Sequence, residues 1–166
     1  LALPLEEKGE DIMFDSAPGI KVDGVSFAYD DIPVEERKNI LEDFSYDFKP
    51  GSVTAIMGIT GAGKSTLTRL ILGLLKPVGG SVSLYSDNMT VQASPSTRCN
   101  FRYVPQGNTL MSGSVRENLL MANPDATEEE MLDALHTAVG DFVTELPGGL
   151  DTVCSEKGSG LSEGQA

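Results

Sequence analysis

The sequence has no tryptophan, one histidine and only two cysteines among its 166 residues. Cys99 and Cys154 lie far apart, and the chain has no C-x-x-C pair. This arrangement gives a disulfide no support and predicts free thiols in a reducing compartment. The one histidine, His136, lies inside a predicted helix, which favours a structural or exposed role over a chemical one.

Basic residues are also scarce, since 12 Lys and Arg stand against 25 Asp and Glu and leave a net charge of -13. Nucleic-acid backbones need clustered Lys and Arg, so this balance argues against nucleic acid as the main partner. It does not exclude a small phosphate-bearing ligand, because such a ligand responds to the local field of its binding loop and not to the total charge.

Long hydrophobic runs are missing as well. A typical apolar run, residues 70–75, is only a few residues long and is interrupted by Gly73. A transmembrane helix needs about 20 apolar residues, so nothing in this sequence is predicted to span a membrane. The length and the 40% hydrophobic fraction are typical of one globular domain. Residues 1–18 are acidic and contain Pro4 and Pro18, which predicts a linker or arm.

What the sequence does contain is a glycine-rich stretch between two apolar segments. The stretch matches G-x-x-x-x-G-K-[ST], the pattern of a phosphate-binding loop. Residues 52–57, just before it, are mostly apolar and partly β-branched, which is typical of a buried strand. The residues after it predict a helix whose apolar side chains share one face: Leu67, Leu70, Ile71 and Leu74. The candidate binding residues are Gly58, Thr60, Gly61, Ala62, Gly63, Lys64, Ser65 and Thr66.

Each residue type in this loop suits the binding of a phosphate. Glycines let the backbone turn tightly and direct successive N–H groups at one point, and the helix N-terminus adds a partial positive charge there. Lys64 is predicted to reach the β- and γ-phosphates of a nucleotide, and the Ser65 hydroxyl is predicted to bind Mg²⁺. The alternative is an ordinary glycine-rich turn, which does not require Gly-Lys-Ser-Thr at the start of a helix.

Other patterns predict the elements around the loop. Alternating or apolar segments predict strands at residues 20–29, 41–48, 81–85 and 101–104. Gly24 is a candidate bulge in the first of them. Pro77 is predicted to end the helix that follows the loop, and Gly79-Gly80 to turn the chain afterwards.

Two capping boxes predict helices in the C-terminal part of the chain. Ser114 has Glu117 three residues later, and Thr127 has Glu130 in the same position. In the second of these helices the apolar side chains at helical spacing are expected to face inward: Met131, Leu135 and Ala138.

Four further stretches resemble motifs of one protein family, the nucleotide-binding domain of ATP-binding cassette (ABC) transporters. Residues 161–165, Leu-Ser-Glu-Gly-Gln, resemble its signature motif, and Pro105-Gln106 resembles its glutamine loop. Residues 25–29, Val-Ser-Phe-Ala-Tyr, resemble the strand that supplies an aromatic ring for adenine. Residues 152–158 resemble the coupling segment of the exporter branch. Together with the phosphate loop, these motifs occur in the family's order and cover residues 19–166.

The resemblance implies an α/β fold of the P-loop NTPase class, with a RecA-like core, an antiparallel β subdomain and a helical subdomain. It assigns residues 19–166 to a partial nucleotide-binding domain, with the helical subdomain at approximately 107–166. The family continues past its signature helix to an apolar strand ending in Asp, a catalytic Glu and a switch His. None of these follows the signature-like motif here. We therefore expect the C-terminal part of the core to be missing, with the chain truncated after that motif.

Several residue roles are implied by the resemblance. Lys64 and Gln106 are the expected catalytic residues, and Gln106 is expected to bind Mg²⁺ together with Ser65. The amide of Gln106 carries both a donor and an acceptor, so it suits contact with the metal or a water. Tyr29 is expected to stack on the adenine ring, and its alternative role is that of an aromatic in the core.

The signature-like motif is expected to act across a dimer. In the family this element contacts the ATP of the opposite subunit, which implies that Ser162 and Gly164 bind a partner's nucleotide. Glu163 stands where the family usually has glycine. Because a carboxylate would repel the γ-phosphate, we expect this side chain to point away from it.

The function implied by the resemblance is the ATP-binding motor of an ABC exporter, in which Mg-ATP binding and hydrolysis in a dimer drive transmembrane transport. The expected cofactors are ATP and Mg²⁺. The expected partners are a second nucleotide-binding domain and a transmembrane domain of the same protein, at the cytoplasmic face of the cell membrane, and no nucleic acid. This chain alone is expected to bind ATP weakly and not to hydrolyse it. The alternatives are a related ATPase acting on DNA and a non-hydrolysing half of a heterodimeric transporter.

Overall fold

The structure is a computed structural model, and it describes residues 9–29, 38–105 and 110–154. The chain divides into two compact units, residues 1–102 and residues 103–166. The first contains a sheet and the helix that follows the phosphate loop, and the second contains short helices around a two-stranded ladder.

The first unit is built on a four-stranded antiparallel sheet with the strand order β2-β1-β3-β4. Its strands are β1 (Gly19–Phe27), β2 (Leu41–Phe48), β3 (Gly79–Tyr85) and β4 (Thr90–Gln92). Val22, Val25 and Phe27 of β1 are buried, as expected for apolar strand residues, and the register shifts beside Gly24 interrupt the strict alternation that the sequence predicts. The strands predicted at residues 20–29, 41–48 and 81–85 are therefore confirmed, and β3 begins two residues earlier than predicted.

Glycines allow β1 and β3 to approach each other where their pairing shifts register. The shift lies between Asp23 and Ser26, beside the predicted bulge residue Gly24, whose φ is +59°. Gly80 has a φ of +76°, and a Cβ atom there would lie 2.3 Å from the carbonyl oxygen of Gly24. The predicted turn at Gly79-Gly80 is therefore wrong, because both residues already belong to β3, where Gly79 pairs with Ser26 and Gly80 lies at the register shift.

One helix packs its apolar side chains against this sheet. It is α1 (Lys64–Ile71), and its Leu67, Leu70 and Ile71 are buried in one cluster with side chains of β1, β2 and β3. Leu74, predicted to share that face, is half exposed. The helix ends well before Pro77, because Gly73 takes a left-handed φ of +63° at its end. A Cβ atom at Gly73 would lie 2.8 Å from the backbone nitrogen of Ser94.

Two of the predicted strands are not formed. Residues 52–57 have no strand pairing, and Val53 and Met57 are fully or almost fully exposed. Residues 101–104 have no strand pairing either, and Tyr103 and Val104 are exposed. An apolar run becomes a buried strand only where hydrogen-bonded neighbours flank it, and the strands that the structure describes pair only with one another.

Part of the predicted N-terminal arm is hydrogen-bonded to the rest of the first unit. A 3-10 helix, Pro95–Asn100, follows β4. Asn100 donates from Nδ2 to the carbonyl oxygen of Ile12 at 2.7 Å and accepts from the backbone N–H of Phe14 at 2.9 Å. One asparagine side chain therefore holds two residues of the arm.

The second unit contains the two helices that the capping boxes predict, and both boxes are confirmed. Its elements are β5 (Gly113–Ser114), α2 (Val115–Leu120), α3 (Glu128–Thr137), α4 (Phe142–Glu145), the 3-10 helix Gly149–Asp151 and β6 (Val153–Cys154). Ser114 and Thr127 each accept a hydrogen bond from the backbone N–H three residues on, and the Glu at that position bonds back. Met131 is buried and Leu135 is partly buried, but Ala138 is exposed because α3 ends at Thr137.

The two cysteines are free thiols, which confirms the expectation from their spacing. Cys154 is buried in the apolar cluster of the second unit, and Cys99 is partly buried in the 3-10 helix of the first. Among the residues that the structure describes, no helix has both the length and the apolar character needed to cross a lipid bilayer.

The single imidazole of the chain is exposed and paired, which makes its titration a test of the second unit. His136 Nδ1 lies 2.9 Å from Asp141 Oδ1, and this hydrogen bond raises the histidine pKa above its ordinary value of 6.5. The pair therefore stabilises the fold below about pH 6.5, and this contribution is lost as the pH rises through the raised pKa. An NMR titration of the imidazole of His136 should have its midpoint above pH 6.5. In Asp141→Asn this midpoint should fall towards pH 6.5. Equal midpoints in the two proteins would refute the pairing.

Candidate functional site

The glycine-rich loop reaches α1 through two residues in the left-handed conformation. Gly61 has a φ of +86° and Gly63 a φ of +87°, and the N–H of Ala62 donates to the carbonyl of Ile59 at 3.2 Å. Gly63 is buried, and a Cβ atom on it would lie 3.0 Å from Ile40 Cγ2. Only glycine meets both requirements at this position, since it tolerates a positive φ and leaves room for Ile40.

The charge at the end of this loop favours an anion. The first helical residue of α1 is Lys64, and no acidic residue lies in the first turn of the helix. The first N–H groups of a helix have no partner within it, and the helix dipole is positive at that end. The ammonium group of Lys64 donates to the carbonyl oxygens of Gly58 at 2.7 Å and Ile59 at 2.9 Å, so the positive charge lies against the loop.

The predicted loop residues are accessible, except at the positions that anchor the loop. The residues from Gly58 to Ala62, with Thr60 among them, and Ser65 are exposed, and Lys64 is partly exposed. Gly63 and Thr66 are buried. A Cβ atom built on Gly61 would meet nothing within 4 Å, which shows open space beside the loop. The arrangement leaves room for a phosphate chain at the start of α1.

The fold brings Tyr29 to the first turn of this helix. The Tyr29 ring packs edge-on against Phe27, with the ring centroids 5.0 Å apart and the planes at 88°. The Tyr29 hydroxyl lies 3.3 Å from Thr66 Oγ1, and Arg69 donates to the same hydroxyl from Nη1 at 3.3 Å. The predicted aromatic therefore lies close to the helix that follows the predicted loop.

Arg69 was not found by the sequence reasoning. The available signal was its spacing of three residues from Thr66, which places the two on neighbouring positions of one helix. The identity of their common partner, Tyr29, has no signal in the sequence. The other predicted site residues, Gln106, Ser162 and Gly164, lie outside the described residues, as does Glu163.

A comparison with known protein families identifies the family of this chain. The family model described as ABC transporter matches residues 41–166, which include the whole glycine-rich loop and α1. The chain belongs to the ABC transporter family. This match also includes Gln106, Ser162 and Gly164, whereas Tyr29 lies before it.

Relatives and a solved structure extend the ABC transporter match. The chain is 38% identical over 147 residues to the serine protease/ABC transporter B family protein tagA of Dictyostelium discoideum, with 88% of the chain and 8% of that protein covered. It is 38% identical over 151 residues to the mycobactin import ATP-binding/permease protein IrtB of Mycolicibacterium smegmatis. That alignment covers 90% of this chain and 25% of IrtB. The solved structure of a bacterial Atm1-family ABC exporter with ATP bound matches this chain with a TM-score of 0.75 and 29% sequence identity. The match covers 98% of this chain and 27% of the exporter chain.

These matches confirm the predicted fold class. The chain has the P-loop NTPase fold of an ABC nucleotide-binding domain, with the antiparallel sheet in its first unit and the short helices in its second. The chain spans 8% of the Dictyostelium protein's length, 25% of the mycobacterial protein's and 27% of the exporter chain.

Proposed function

We propose that this chain is the ATP-binding unit of an ABC exporter, in which Mg-ATP binding and hydrolysis drive transmembrane transport. The observation that carries the proposal is the accessible glycine-rich loop at the start of α1, with Lys64 lying against it. The solved exporter, which is described as having ATP bound, supports the nucleotide and the direction of transport. One relative is named an import protein, so a transport assay on the full-length protein is the direct test of direction.

The residues present fit a nucleotide. The open space beside Gly61 and the exposed Ser65 leave the helix N-terminus accessible to a phosphate chain. The first turn of α1 carries no acidic side chain that would repel it. The ring of Tyr29, 37 residues away in sequence, lies close enough for its hydroxyl to touch Thr66. A base-binding aromatic and a phosphate-binding loop are therefore available on one surface of the first unit.

The chain's own groups have separable roles in this proposal. Lys64 exchanges its hydrogen bonds to the carbonyls of Gly58 and Ile59 for bonds to phosphate oxygens. The hydroxyl of Ser65 and the amide of Gln106 hold Mg²⁺, and Gln106 orients the attacking water. The metal, when bound, neutralises charge on the phosphates. Ser162 and Gly164 contact the nucleotide of a second nucleotide-binding domain.

The proposed partners and location follow from the family. A second nucleotide-binding domain completes each nucleotide site, and a transmembrane domain of the same protein transmits the movement at the cytoplasmic face of the membrane. Turnover is assigned to the full-length protein. We expect the 166-residue chain alone to bind ATP weakly without hydrolysing it.

Calorimetry with Mg-ATP tests the proposal. We expect saturable binding to the purified chain, weaker binding when EDTA removes Mg²⁺, and no release of phosphate over time. Duplex DNA in the same assay is expected to give no binding, because the chain carries a net charge of -13. An absence of heat with Mg-ATP from the full-length protein would contradict the proposed function, and DNA binding that weakens with salt would favour the DNA-acting alternative.

A further inference from the structure

We propose that Arg69 is a positioning residue for the nucleotide base, because it holds Tyr29 against the first turn of the phosphate-loop helix. This inference rests on the proposed function, since it assigns Tyr29 to the base and the loop to the phosphates. In this proposal Arg69 contacts neither the base nor the phosphates. It acts through the hydroxyl of Tyr29, which it reaches from α1 across 40 residues of sequence.

The contacts form a continuous chain from the sheet to the loop. The ring of Tyr29 packs edge-on against the buried ring of Phe27. At the other end, its hydroxyl lies 3.3 Å from Thr66 Oγ1 and accepts a hydrogen bond from Arg69 Nη1 at 3.3 Å. Thr66 is buried and lies two residues after Lys64, so the hydroxyl of Tyr29 contacts a fixed point in the first turn of α1.

Side-chain contacts position Tyr29, because the strand before it has already ended. β1 stops at Phe27, and Tyr29 lies two residues beyond the last residue of the ladder. A ring without such contacts would have to be ordered when a base binds. Ordering one flexible side chain weakens binding by about 2- to 10-fold. A ring already held by Arg69 and Thr66 avoids that loss, which is the effect that we assign to Arg69.

The inference separates the base from the phosphates, and this makes it testable. Inorganic tripolyphosphate has the phosphates of ATP and no base. We expect Tyr29→Phe and Arg69→Gln each to weaken Mg-ATP binding by about 2- to 10-fold and to leave tripolyphosphate binding unchanged. The double variant should be no weaker than Tyr29→Phe alone, because Tyr29→Phe already removes the hydroxyl that Arg69 contacts. Arg69→Lys should retain most of the Mg-ATP affinity that Arg69→Gln loses, because a single donor is enough to reach the hydroxyl of Tyr29.

A matched control is available in the same unit. Tyr85→Phe removes a hydroxyl that donates to Asp47 Oδ1 at 2.6 Å, so it makes the same chemical change on β3. It should leave the binding of both ligands unchanged. In the nucleotide-free protein, an NMR contact between the Tyr29 ring and the Thr66 methyl group should be present and should weaken in Arg69→Gln. This readout does not depend on any ligand.

Each outcome bears on the inference. Unchanged Mg-ATP affinity in both Tyr29→Phe and Arg69→Gln would overturn it while leaving the proposed function intact. Equal weakening of ATP and tripolyphosphate would also overturn it, because Arg69 would then act on the loop and not on the base. A wild-type protein that binds neither ligand would overturn the proposed function, and the inference with it. Arg69 is exposed, so its variants are expected to fold, and Arg69→Lys retains the charge as a check.

Discussion

Replacing Lys64 by alanine is expected to weaken Mg-ATP binding by about 10- to 100-fold. The estimate comes from the loss of a hydrogen bond to a charged group, which contributes about 1.5 to 3 kcal/mol, with 1.4 kcal/mol corresponding to a factor of ten. Lys64 is the first residue of α1, and its ammonium group lies 2.7 Å from the carbonyl of Gly58. To bind a phosphate at this place, the ammonium group only has to exchange the carbonyl oxygens of Gly58 and Ile59 for phosphate oxygens.

The effect should concern binding and not folding. Lys64 is partly exposed, and both of its hydrogen bonds are to carbonyls of the loop itself, so its loss leaves the core unchanged. Calorimetry with Mg-ATP gives the affinity, and thermal unfolding without nucleotide gives the stability. Unlike the Tyr29 variants, Lys64→Ala should weaken tripolyphosphate and ATP alike, because the lysine interacts with phosphates only.

Lys76→Ala is the matched control for this experiment. Lys76 is an exposed lysine of the same unit, beyond the end of α1, so its removal changes the net charge by the same amount. It should leave the Mg-ATP affinity within a factor of about two. If Lys64→Ala and Lys76→Ala weaken binding equally, the loss reflects the overall charge and the assignment of Lys64 to the phosphates is wrong.

Leu70→Ala is expected to lower the free energy of unfolding by about 2 to 5 kcal/mol, the usual range for a buried leucine. Leu70 is 1% exposed and packs in the cluster that joins α1 to the sheet, beside Val22, Val25 and Val82. Truncation leaves a cavity where the helix meets the strands. Because α1 begins at the loop, the same change should also weaken nucleotide binding by loosening the first turn.

Leu74→Ala provides the comparison, since it makes the same change four residues later. Leu74 is 50% exposed and lies beyond the end of α1, so we expect a loss of only about 0.5 kcal/mol. Urea unfolding followed by circular dichroism measures both variants. Similar losses at the two positions would mean that Leu74 also belongs to the core, as the helical spacing in the sequence predicts.

Local patterns in the sequence predicted local structure well. The boxes at Ser114 and Thr127 each depend on two hydrogen bonds across three residues, so they form wherever the helix forms. The start of α1 after Gly63 is equally local, because a glycine with positive φ and a run of helix-forming residues settle it. The end of α1 was predicted wrongly at Pro77, because Gly73 takes a left-handed φ and ends the helix earlier.

Patterns whose meaning depends on distant neighbours predicted less. Residues 52–57 have the composition of a buried strand, yet the side chains of Val53 and Met57 are exposed. A strand is stable only through hydrogen bonds to adjacent strands, and no sequence window contains those neighbours. The turn predicted at Gly79-Gly80 failed for a related reason, since glycine is required at position 80 by the carbonyl of Gly24 on the adjacent strand.

The sequence by itself determined the phosphate loop, its glycines and its lysine, because these act over a few consecutive residues whose chemistry is visible in their order. Only the tertiary structure decided that Tyr29 meets Thr66 and Arg69, which are 37 and 40 residues away. The physical reason is that packing α1 onto the sheet sets the distance between the end of β1 and the first turns of the helix. That distance results from the burial of Leu67, Leu70 and Ile71, and no motif records it.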